Sequence, residues 1–95
     1  MKNIVIELRV NSETDVEEIR DLLTEQARLS LLEPGCCRFE VLHSQDDRCV
    51  FFLIEQWESA EAHEVHRTAK AYMEIYKPKV LPRAERTAHL VDIVS

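Results

Sequence analysis

The chain has 95 residues, 45% of them hydrophobic, with one glycine, three prolines and a formal net charge of −6. That length supports one core and no second, so residues 1–95 read as a single domain, and the apolar content excludes a disordered chain. The acidic balance, with no basic stripe interleaved with aromatics, excludes nucleic acid as a partner; no run approaches the ~20 apolar residues of a membrane span.

The opening stretch, MKNIVIELRV, is interrupted by Glu7 and Arg9 before it could serve as the apolar core of a signal peptide, and the chain reads as cytoplasmic. Its apolar residues Ile4, Ile6, Leu8 and Val10 alternate with polar ones from Asn3 onward, the period of a strand. Asn11, Ser12 and Thr14 offer helix caps, and Glu13, Asp15, Glu17 and Glu18 suit the positive end of a helix dipole. Val16, Ile19, Leu22, Leu23, Ala27 and Ser30 fall on one helical stripe, which predicts a helix to about Leu32 before Pro34 stops it.

Two strand-like runs follow, CCRFEVLH and RCVFFLIEQW, joined by SQDD as a hairpin. A second helical region starts from Ser59, breaks near Thr68 and runs to about Lys77, where Pro78 and Pro82 end it. RTAHLVDIV closes the chain as a last strand. The order β-α-β-β-α-β predicts an α+β, ferredoxin-like fold: an antiparallel sheet with its helices on one face.

The run from Cys49 to Ile54 is apolar on both parities, although helices cover only one side of such a sheet. Val50, Phe52 and Ile54 therefore need another cover, and a second copy of the same sheet is the simplest, so the chain is expected to form a homodimer through that face. The cysteines, Cys36, Cys37 and Cys49, are odd in number and two are adjacent, which suits buried free thiols better than disulfides or zinc ligands.

His63 and His66 stand in HEVH, one residue short of the H-E-x-x-H zinc motif, and no third ligand is specified among Glu55, His43 and His89; no metal is expected. His66 lies near the helical break, followed by Tyr72, Met73 and Tyr76, an apolar wall carrying hydroxyls. Spacing alone is equally met by a satisfied core histidine beside two tyrosines. Glu55 shares strand parity with Trp57, Phe51 and Leu53, and can orient His66 if that face meets the helices. A single glycine leaves no room for a glycine-rich nucleotide loop.

On EPGCCRFEV, followed by FFLIEQWESAEAHEVHRTAKAY, the chain resembles the antibiotic biosynthesis monooxygenase family, across nearly its whole length. The shared pattern is a strand ending in E-x-W, then S/D-x-x-A, then a histidine before a short helix bearing an aromatic. The resemblance implies a dimeric ferredoxin-like barrel with a ligand pocket between the sheet and the second helical region. Relatives include cofactor-independent monooxygenases of anthrones and quinols, haem-degrading enzymes, and an isomerase of phosphorylated autoinducer-2. Position by position, Trp57, His66 and Tyr72 match the recurring tryptophan, histidine and aromatic. Haem-degrading relatives carry a histidine at the position of Tyr76 and a tryptophan at that of His66, so haem is not expected.

Position 63, bulky and apolar in the family, is histidine here. The expectation is thus a monooxygenase without cofactor, acting on a small quinol or polyphenol. His66 is its base and Tyr72 the group holding the adjacent oxygen, with Trp57, Glu55, Tyr76, Met73 and His63 lining the substrate. A proton-shuttling isomerase of a small carbonyl compound, phosphorylated or not, and a non-catalytic ligand-binding dimer are the alternatives; a phosphorylated ligand calls for a basic anchor, for which Arg67, Lys70 and Arg38 are the candidates.

Overall fold

The computed structural model describes all 95 residues. Four strands, β1 (Lys2–Val10), β2 (Cys36–His43), β3 (Val50–Trp57) and β4 (Ala84–Val91), form one antiparallel sheet in the order β2-β3-β1-β4. Three helices, α1 (Val16–Ser30), α2 (Ala60–His66) and α3 (Ala71–Val80), complete the expected ferredoxin-like topology. No helix is long and apolar enough to cross a membrane.

The alternation of β1 is realised as read: Ile4, Ile6, Leu8 and Val10 are buried against the helices, together with Val16, Ile19 and Leu23 of α1 and Phe51, Leu53 and Trp57 of β3. Each such side chain contributes roughly 1.5–3 kcal/mol when fully buried. Ser12 and Ser59 cap as expected, their hydroxyls accepting from the backbone N–H of Thr14 and Ala62.

α1 ends at Ser30, and the chain turns through Gly35, whose φ of 82° lies in the left-handed region. A Cβ there would stand 2.6 Å from the Cβ of Ala62, so only glycine lets α2 seat directly on this turn. The Glu58 N–H donates to the Gly35 carbonyl at 2.8 Å, closing the same junction. The sequence order thereby brings the EPG turn, thirty residues earlier, beside the second helical region.

Two elements depart most from the sequence reading. β4 begins at Ala84 and stops at Val91, two residues earlier and three residues shorter at its end than the predicted run. The second helical region does not end at Lys77: α3 carries Pro78 inside it and continues to Val80. In an α-helix the proline ring would meet the carbonyl four residues back. Here the helix is a π-helix, and the Leu81 N–H closes it on the Tyr76 carbonyl, five residues back. The wider turn is what accommodates Pro78.

On the outer face of the sheet, Phe52 and Ile54 are half-buried and Leu42 is exposed. Val50 is a correction to the uncovered set. It is only 4% exposed within one chain, because the hairpin loop folds over it: its N–H donates to the Asp47 carbonyl and its carbonyl accepts from Ser44.

Candidate active site

Strand parity carries Glu55 and Trp57 to the helix side, where both are buried. The Trp57 indole N–H donates to Glu55 Oε1 at 3.0 Å. Burial raises the Glu55 pKa above its ordinary value, opposed by that bond and by the charges of His66 and Arg86. Glu55 therefore orients Trp57 and not His66, contrary to the role open to it in the sequence.

The partner of His66 is Glu33, on the turn before β2. His66 is 3% exposed, and its Nδ1 stands 2.7 Å from Glu33 Oε1. A carboxylate oxygen accepts, so Nδ1 is the donor and Nε2 is the ring nitrogen left to exchange a proton. Nε2 has no bond to the protein, yet it is not among the sealed unpartnered atoms, which are Gln26 Oε1, Ser30 Oγ and His63 Nδ1. It keeps contact with solvent.

Four rings surround this imidazole. Trp57 lies 4.6 Å away between centroids, Tyr72 5.9 Å edge-on, Phe39 6.0 Å and His63 6.1 Å. Tyr76 follows Tyr72 at 5.5 Å, and its hydroxyl accepts from Arg86 Nε at 3.1 Å. Burial pushes the Tyr76 phenol up to about 12, so it stays protonated at neutral pH. His63, also 5.8 Å from Trp57, is driven down to about 4 by burial first and then by Lys2, His66, Arg67 and Arg86, so it is neutral there.

Of the seven residues expected at the site, His66, Tyr72, Trp57, Glu55, Tyr76 and His63 converge. Met73 does not: it is 45% exposed, one residue round the helix from Tyr72. Glu33, Phe39 and Arg86 join the cluster without having been singled out for it, and Arg67, a candidate anion anchor in the sequence, lies against Tyr72. Glu33 read only as part of a turn, and nothing local announces that a turn residue will meet a helix thirty positions later.

The rings fill the space between sheet and helices, and no open pocket lies there. A concavity of about 430 Å³ instead opens at the end of the sheet, between Lys2, Asn3, Ser59, Ala60, Leu90 and Val91. His43 stacks on Phe51 at 4.0 Å and His89 is exposed, both outside the cluster. No three His, Cys, Asp or Glu side chains are arranged to hold a metal ion. Burial raises the Cys36 thiol to about 11, which makes it a poor nucleophile.

The fold is that of a known class. Residues 1–77 match the model of the antibiotic biosynthesis monooxygenase family, and the chain belongs to that family. Among solved structures, it is similar to a conserved protein of Bacteroides thetaiotaomicron described as a possible oxidoreductase, at TM-score 0.88 and 25% identity, over 97% of this chain and 96% of that one. It is similar in fold to an antibiotic biosynthesis monooxygenase at TM-score 0.85 and 21% identity, over 98% and 99%. The fold also matches SnoaB of Streptomyces nogalater, a cofactor-independent oxygenase, at TM-score 0.84 and 14% identity, over 99% and 93%. No curated protein sequence matches the chain.

Proposed function

We propose that this protein is a cofactor-independent monooxygenase that oxidises a small quinol- or polyphenol-type aromatic with molecular oxygen. The observation that carries this reading is the Glu33–His66 pair at 2.7 Å, which leaves Nε2 free within a wall of Trp57, Tyr72 and Phe39. Family membership and the likeness to a cofactor-independent oxygenase support it.

His66 takes the proton of a phenol or of an activated CH2 group, and Glu33 stabilises the imidazolium that results. The electron-rich anion passes one electron to oxygen, giving a substrate radical and superoxide. These combine to a hydroperoxide, reprotonated from His66. Loss of water converts the carbon to a carbonyl, so one CH2 and one O2 become one C=O and one H2O. Tyr72 holds the substrate oxygen, and Trp57 walls the ring. His63, Glu55 and Tyr76 complete the lining, whereas Met73 touches substrate only if the rings part.

Oxygen uptake across a panel of quinols tests this. His66→Ala is expected to lose about 10²-fold or more of the rate, as for removal of a general base, and Tyr72→Phe less. Absence of substrate-dependent uptake would refute the oxygenase; proton exchange beside a carbonyl in its place would identify an isomerase. The same reading includes a homodimer built through Phe52, Ile54 and Leu42, with Val50 covered by its own hairpin loop beside them. A monomer in sedimentation at micromolar concentration would refute it.

A further inference from the structure

The eight arginines of this chain divide unequally. Arg9, Arg28, Arg38, Arg48 and Arg83 each pair with a carboxylate, and Arg20 reaches His43. Only Arg67 and Arg86 stand against tyrosines: Arg67 against Tyr72, which borders His66, and Arg86 against Tyr76, which packs on Tyr72. With 18 acidic residues to 12 basic ones, partners are not scarce.

Arg86 pairs across the sheet with Leu8, a buried residue, so its side chain rises on the helix side. Its Nε donates to the Tyr76 hydroxyl, which fixes the plane of the guanidinium, while its two η nitrogens make no bond to the protein. Tyr76 spends its oxygen on Arg86 and keeps its own proton to donate. The Arg67 guanidinium carbon lies 5.7 Å from the Tyr72 centroid. The carboxylate whose field reaches Arg86 is Glu55, but its bond goes to Trp57. An oriented fork with both η nitrogens open is the arrangement that grips an oxyanion with two parallel hydrogen bonds.

We propose that the substrate bears an oxyanion, a carboxylate or a phosphoryl group, held by the η nitrogens of Arg86 with Tyr76 donating beside them and Arg67 adding its charge. This rests on the reading of the His66 cluster as the substrate site.

Isothermal titration with 1-hydroxy-2-naphthoate, its methyl ester and 1-naphthyl phosphate tests it. The wild-type protein is expected to bind at least one acid about tenfold or more tighter than the ester, the value of a charge-assisted hydrogen bond, and less so as salt is raised. Arg86→Gln abolishes the preference and Arg67→Gln reduces it, in variants whose circular dichroism is unchanged. Whichever acid binds tighter identifies the group. Equal binding of acid and ester, no binding of either acid, or a preference that survives Arg86→Gln overturns the proposal. Binding is read without oxygen: an acid preference with no oxygen uptake on any quinol would refute the oxygenase alone, and uptake confined to neutral substrates would refute this inference alone.

Discussion

His63 is the residue whose replacement most directly tests the physics of the site. Its Nδ1 is sealed from solvent with no hydrogen-bond partner, a state that costs about 1–3 kcal/mol. Burial, reinforced by Lys2, His66, Arg67 and Arg86, drives its pKa to about 4, against ~6.5 in an unfolded chain. Between those values the unfolded chain binds the proton and the folded chain does not, so stability rises with pH through the window and is lost as pH falls from ~6.5 towards 4. At full strength the gap is worth ~3.4 kcal/mol; the ring is only half-buried, and solvent screening reduces that to about 1–2 kcal/mol.

His63→Phe keeps an aromatic ring beside Trp57 and removes both penalties. The variant is expected to gain about 1–2 kcal/mol at neutral pH, each kcal/mol raising Tm by roughly 4–8 °C in a domain of this size. Its advantage should widen on acidification to pH ~4. Urea unfolding followed by Trp57 fluorescence across that range measures both. A variant no more stable than wild type at neutral pH, with the same acid slope, refutes the assignment of His63 as a neutral, unsatisfied group.

The junction that assembles the site is equally exposed to test. Gly35→Ala combines a left-handed backbone, which costs about 1–2 kcal/mol for any other residue, with a contact of 2.6 Å on Ala62; chemical denaturation should show a loss at the upper end of that range or beyond, partly restored by adding Ala62→Gly. Glu33→Ala leaves the buried Nδ1 of His66 without its partner and should destabilise by about 1–3 kcal/mol. Glu33→Gln should restore most of that stability in the same denaturation assay, while turnover in oxygen uptake stays low, because an amide accepts the hydrogen bond but does not stabilise an imidazolium.

Local periodicity carried most of the architecture. The alternation of β1, the stripe on α1 and the shared parity of Phe51, Leu53, Glu55 and Trp57 each state which way a side chain points, and the fold follows because every element must bury the same face. α3 escaped that logic at its end. A proline stops an α-helix, and nothing in KPKV tells that the chain will widen into a π-turn around it.

The catalytic candidates divide the same way. His66, Tyr72 and Tyr76 were legible because they lie within a few turns of one another, and Trp57 because it ends a strand whose parity is plain. Glu33 and Arg86 were not, since each depends on a contact between distant segments: one through the turn at Gly35, the other across the edge strand β4 to Tyr76.

The sequence by itself determined the element types, the buried face of each strand and helix, and hence the ferredoxin-like sheet, because these are set by spacing along a single segment. Tertiary structure alone decided which groups share a hydrogen bond: Glu33 with His66, Glu55 with Trp57, Arg86 with Tyr76. A hydrogen bond requires placement to within a few tenths of an ångström, and that is fixed only when separate segments pack against one another.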